Sequence, residues 1–183
     1  MAKLRCQYAG AVAAAGGLVW IAWTVALGVT GRRSAPVLAA VALSSLAVVV
    51  GHYAVESFHG ARMKRPGTGG AWLGALGGVV FAAGQLLQVG TGTGEVVVGL
   101  GALALVGGSL LAAVGLVRTR MQPPWLGVLL AVGTVAFLGL NEISPWTALP
   151  YGLAWVALGQ DIYRHAPPEG RFGESGTDYG WLS

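Results

Sequence analysis

Charge is what this sequence has least of. Its 11 Lys and Arg and 7 Asp and Glu amount to 10% of 183 residues, where a soluble domain carries roughly 25%. The shortage is patterned. Six neutral stretches separate the charges: 6–31, 34–55, 66–94, 96–117, 121–141 and 143–160. A helix needs about 20 mainly apolar residues to cross a bilayer core, and these stretches approach or exceed that length. A soluble globular domain is excluded. Cysteine is nearly absent too. With Cys6 alone, the chain can form no intrachain disulfide, CxxC redox pair or Cys-based zinc site. Also missing are a GxxxxGK[ST] phosphate loop, a GxSxG nucleophile elbow, an HExxH helix and an Asp-rich metal motif. No nucleotide, haem or Fe–S motif is present, and no room remains for a soluble catalytic domain. The net charge of +4 comes from Lys and Arg in short loops beside the apolar runs. That is a topology signal rather than a nucleic-acid surface, so no nucleic-acid partner is expected.

What is present predicts an all-α integral membrane protein, a compact bundle of six transmembrane helices. The runs are continuously apolar, unlike the alternation of barrel strands, and open strands cannot satisfy their backbone in lipid. The expected spans are 9–30, 35–57, 70–90, 96–117, 123–141 and 146–163. They make one domain over 1–163, followed by a flexible cytoplasmic tail over 164–183. The first run is too long for a signal-peptide core of about 7–15 residues and is read as a retained span. Pro150 and Gly152 should kink the sixth span or delay its start. With the N-terminus inside, nine Lys and Arg fall in inner segments, and only Arg32 and Arg33 in outer loops. This bias puts both termini in the cytoplasm and the protein in the plasma membrane. The largest inner loop, about 58–69, carries Arg62, Lys64, Arg65 and Pro66-Gly67. Tyr8, Trp72, Trp125 and Tyr163 are expected at the inner interface and Trp146 and Tyr151 at the outer one. Trp20 and Trp155 are expected to pack deeper.

Small residues recur four apart: Ala9, Ala13 and Gly17; Gly70, Gly74 and Gly78; Ala104, Gly108 and Ala112. Such faces let helices approach closely. They fit packing within the chain, or docking of a membrane partner or a second copy through spans 1, 3 or 4.

Chemistry-bearing residues concentrate on span 2. Ser45, His52, Glu56 and His59 fall within a sector of roughly 60° on a helix, a polar stripe that lipid would penalise. It reads as a structural patch with Glu56 paired to Arg62 or Lys64. It also reads as a proton- or solute-handling site in which His52 changes charge beside Glu56. A third reading is a metal site of His52, Glu56 and His59, completed by Asp161 and His165 from span 6. Toward the other surface lie Gln85 and Gln88, one turn apart on span 3, with Glu95, Asn141 and Glu142. Their amides can bind a polar solute or a neighbouring helix. Ser44, Ser45, Ser109 and Thr134 sit near mid-membrane, where hydroxyls commonly bond their own i−4 carbonyl.

The preferred expectation is a non-enzymatic polytopic protein handling a small solute or proton, or serving as the membrane subunit of a larger complex. One alternative is a small membrane-embedded enzyme acting on a lipid or isoprenoid through His52, Glu56 and His59. Another is a structural accessory subunit. In size and topology, and in Ala9, Ala13 and Gly17, the chain is similar in outline to the substrate-binding membrane subunits of energy-coupling vitamin transporters. That likeness brings no substrate-site residue with it.

Overall fold

The fold is described from a computed structural model, for residues 2–119, 123–140 and 144–165. The described residues are helical throughout. The helices are α1 (Ala2–Thr30), α2 (Ala35–Thr91), α3 (Glu95–Thr119), α4 (Pro124–Leu140) and α5 (Leu149–His165), with a 3₁₀ turn at Pro145–Ala148 before α5. Four segments are long and apolar enough to cross a membrane: Cys6–Thr30, Ala35–His59, Arg65–Thr91 and Glu95–Arg118. Pro124–Leu138 is a shorter apolar helix. Large apolar side chains also cover the outside, among them Leu18, Leu43, Leu76, Leu100, Leu103 and Val135. A perimeter this apolar belongs in lipid, and the chain is a multi-pass membrane protein.

α2 corrects one expectation. No loop separates its two arms, because residues 58–69 are helical and Pro66 lies inside the helix. Yet a straight helix would hold His52 and Gly74 about 33 Å apart, whereas a Cβ on Gly74 would collide with the His52 ring. The helix therefore folds back on itself between these two residues. Proline lacks the N–H that an interior helical position needs, and this costs least where a new helical run begins.

The rest follows from close backbone approach. The second arm of α2 runs antiparallel to α3, with Gly84 against Val98, Gly77 against Leu105, Gly74 against Gly108 and Gly67 against Gly115. Gly10 meets Gly159 and Tyr163, and Gly17 meets Gly152 and Val156, so α1 and α5 are also antiparallel. The start of α1 and the finish of α5 thus share one end of the bundle. α4 packs between α3 and α5. Gly17, Gly70, Gly74, Gly78 and Gly108, singled out by their spacing, are all taken up by contacts inside the chain. At the opposite end, α2 closes on Gly92, whose φ of 70° permits the left-handed cap and whose N–H donates to the Gln88 carbonyl at 3.2 Å.

The expected delay in the sixth helix takes a definite form. A 3₁₀ turn occupies Pro145–Ala148, α5 starts at Leu149, and Pro150 sits in its first turn. From there Tyr151, Trp155, Leu158 and Ile162 form a buried face at helical spacing. Tyr151 is thus not an interface residue. It is fully buried in the core.

Candidate functional site

Two polar regions sit in this apolar frame. The first is a closed network in the core. His52 is wholly buried, with Nδ1 3.0 Å from the Val48 carbonyl and Nε2 3.1 Å from Ser109 Oγ. A carbonyl only accepts, so Nδ1 carries the proton, and a neutral ring then accepts at Nε2 from the Ser109 hydroxyl. Ser109 Oγ lies 3.2 Å from the Tyr151 hydroxyl and accepts from it. Three helices are tied by one directional chain, from Tyr151 to Ser109 to His52 to Val48, with the imidazole satisfied in its neutral form. Trp155 lies against the His52 ring, centroids 4.6 Å apart.

Glycines make the room. A Cβ on Gly74 would enter the His52 ring, and one on Gly51 would come within 2.5 Å of the Trp155 ring. On the other side Tyr151 stacks on Phe137 at 5.6 Å and meets Trp20 edge-on at 4.9 Å. The Ser109–His52 spacing is that of a nucleophile and its base. But Ser109, His52 and Tyr151 are all sealed, and none of them lines the cleft described below.

The remaining stripe residues do not join this network. Ser45 gives its hydroxyl to the Val41 carbonyl at 2.7 Å, and Thr134 likewise bonds Leu130, as expected of hydroxyls in membrane helices. Ser109 escapes this habit and bridges helices. Glu56 is half-buried, and the Arg62 and Lys64 side chains expected beside it lie outside the described residues. His59 is buried, with the Phe58 ring edge-on at 4.5 Å. Asp161 and His165 meet each other at 3.1 Å, one turn apart on α5. Among the described residues no three His, Cys, Asp or Glu side chains gather as a metal set. In particular, His52, Glu56, His59, Asp161 and His165 do not converge.

The second region is a cleft of about 500 Å³ at the end of the bundle away from the start of α1. It lies within the size range of small-molecule sites. α1 contributes Trp23 and Leu27; the first arm of α2 and the residues before it contribute Arg33, Val37, Leu38 and Val41. The second arm adds Phe81, Gln85 and Gln88, α3 adds Glu95, Val98, Ala102 and Leu103, and α4 adds Phe137 and Leu138. Gln85, Gln88 and Glu95, grouped from the sequence, are brought together here, while Asn141 and Glu142 lie outside the described residues. Arg33 and Trp23 are additions that sequence reasoning missed. Arg33 was read only as a topology marker, and the contact of α1 with this surface had no sequence signal.

Gln85 is 7% exposed and Trp23 6%. Among the described residues neither Gln85 Oε1 nor Trp23 Nε1 has a hydrogen-bond partner. A buried polar atom left unpaired costs about 1–3 kcal/mol, and two of them stand in the wall of one cavity. No family model matches the chain, and no curated protein or solved structure matches it.

Proposed function

We propose that this protein is a six-span, non-enzymatic membrane protein that binds a small solute in the cleft between α1, α2, α3 and α4. The observation that carries this reading is the pair of unsatisfied polar atoms, Gln85 Oε1 and Trp23 Nε1, in the wall of a mostly apolar cavity. Buried polar groups are almost always paired, and a guest toward which the Gln85 and Trp23 side chains turn is a partner that would relieve these two. The His52 network is a strut in this reading. It is neutral, satisfied and closed, and it holds α2, α3 and α5 in register beneath the cleft.

For topology, α4 is about 25 Å long, and α5 with its 3₁₀ turn is about 33 Å. Together with the four longer segments these make six crossings. An even number of crossings agrees with the start of α1 and the finish of α5 sharing one end. The excess of Lys and Arg at that end supports a cytoplasmic side for it and an outward-facing cleft.

The binding reading is tested by native mass spectrometry of the protein released from nanodiscs. Wild type should carry one small-molecule adduct that Gln85→Leu lacks. A wild type without an adduct, or a Gln85→Leu protein with the same adduct, overturns it. The orientation is tested separately. In a Cys6→Ala background, a membrane-impermeant thiol reagent should label Ser34→Cys in intact cells. Labelling only after lysis reverses the topology.

A further inference from the structure

The lining of the cleft indicates what it holds. Its walls are mainly aliphatic, from Leu27, Val37, Leu38, Val41, Val98 and Ala102, which suits an apolar body. Two of its lining residues, Leu103 at 60% and Leu138 at 44%, are exposed on the apolar perimeter. The cavity is therefore continuous with the surface that faces lipid, and an acyl or prenyl chain has a lateral way in. Two of the lining residues carry a buried group without a partner among the described residues, and the two groups make opposite demands. The indole Nε1–H of Trp23 can only donate and needs an acceptor, while the Gln85 amide oxygen needs a donor. A hydroxyl is a group that can meet either demand. Among the described lining residues, charge is confined to Arg33 and Glu95, both exposed and of opposite sign. A guest with a net charge would therefore meet one favourable and one opposing partner.

We propose that the ligand is a neutral, hydroxyl-bearing amphiphile taken from the bilayer, with its hydroxyl head at Gln85 and Trp23 and its chain leaving between Leu103 and Leu138. This rests on the binding reading above and names the chemical class for the same site.

Trp23 lies in the wall, so its fluorescence reports occupancy. The probe is a monoacylglycerol with a dibrominated chain, added to the protein in nanodiscs. Quenching is read from the total tryptophan emission, and the Trp23→Phe variant, which loses both the reporter and a binding group, should lose the saturable part. Quenching should saturate, and unbrominated monoacylglycerol should reverse it. Gln85→Leu should weaken binding at least tenfold, and Gln85→Met, which keeps the length of the side chain, should do the same if the leucine variant does not fold. Dibrominated phosphatidylcholine should quench without saturating and equally in all variants. Monoacylglycerol quenching that never saturates, or that is unchanged in both Gln85 variants, overturns the proposal. So does dibrominated stearate anion binding as tightly as the monoacylglycerol. If a Gln85-dependent adduct persists in native mass spectra while the monoacylglycerol fails to bind, the ligand class falls and the binding reading stands. If both fail, both fall.

Discussion

The core network and the cleft use the same kinds of polar group and treat them in opposite ways. In the core, His52, Ser109 and Tyr151 satisfy one another and Val48, and glycines at 51 and 74 are cut away so that the rings fit. In the cleft, Gln85 and Trp23 are buried nearly as deeply, yet an atom of each finds no partner among the described residues. A membrane bundle has little hydrophobic force between its helices and relies on packing and interhelical hydrogen bonds. A region that closes its polar groups on itself therefore stabilises the fold. A region that leaves them open does the reverse and needs another justification. The comparison teaches that burial alone does not identify a site. Pairing narrows the choice and position completes it, because the Trp20 indole N–H is also buried without a partner among the described residues, yet Trp20 does not line the cleft.

The largest expected effect strikes the packing that makes the core network possible. A methyl on Gly74 would meet the His52 ring, and a methyl on Gly108 would meet the backbone of Gly74. Backbone cannot swing aside as a flexible side chain can. Gly74→Ala and Gly108→Ala should each lower stability by about 1–3 kcal/mol, toward the upper figure, in unfolding titrations in mixed micelles. Gly69→Ala, where a Cβ meets nothing within 4 Å, should be neutral or gain up to about 1 kcal/mol from helix propensity. Equal losses at 69 and 74 would show that the glycines act through backbone flexibility, not through fit.

Next in size are the network members. His52→Leu removes the acceptor for Ser109 and should cost about 1–3 kcal/mol. Ser109→Ala should cost less, near the ~0.6 kcal/mol average of interhelical hydrogen bonds in membranes. The double variant should cost less than the sum, because both remove one shared bond. Strict additivity would mean that the two residues act independently, and the network would dissolve into separate packing contacts.

The cleft should respond with the opposite sign. Gln85→Leu removes a buried, unpaired oxygen and should raise the stability of the ligand-free protein by about 1 kcal/mol, while abolishing the adduct. A loss of stability comparable to that of His52→Leu would erase the difference between the two regions.

How much of this was open to sequence reasoning depends on the range of the interaction. Apolar runs are local, so α1, both arms of α2 and α3 were legible from the spacing of charges. The segment 58–69 misled because Pro66-Gly67 is usual turn chemistry, whereas here the turn stays helical. His52 was legible as a polar residue that must face inward, but its partners come from α3 and α5, some 57 and 103 residues away in the sequence. Nothing local couples them. Tyr151 was misplaced because its nearness to the outer loop suggested an interfacial anchor. Its spacing of four from Trp155, beside Gly152 and Gly159, was the signal that both rings turn inward. Gln85, Gln88 and Glu95 could be grouped because a helix–loop–helix brings them close in sequence and in space.

The smallest effect is expected where the sequence drew most attention. Glu56 is the acidic residue of the span 2 stripe, and one turn from His52 it looks like the working acid of a site. In the structure it is half-buried, it does not line the cleft, and both nitrogens of His52 are engaged by Val48 and Ser109. Lying three residues before the first arm's apolar segment ends at His59 and nine before the second begins at Arg65, it also sits near the predicted cytoplasmic surface, where an ionised group costs far less than at bilayer centre. Glu56→Gln keeps the shape and removes the charge. It should change stability by no more than about 0.5 kcal/mol and leave the adduct in native mass spectra at wild-type occupancy. A Glu56→Gln protein that folds normally but loses the adduct would move the functional centre from the outer cleft to the stripe. The comparison between a closed core and an open cleft would then have to be redrawn with a second open region at the opposite end of the bundle.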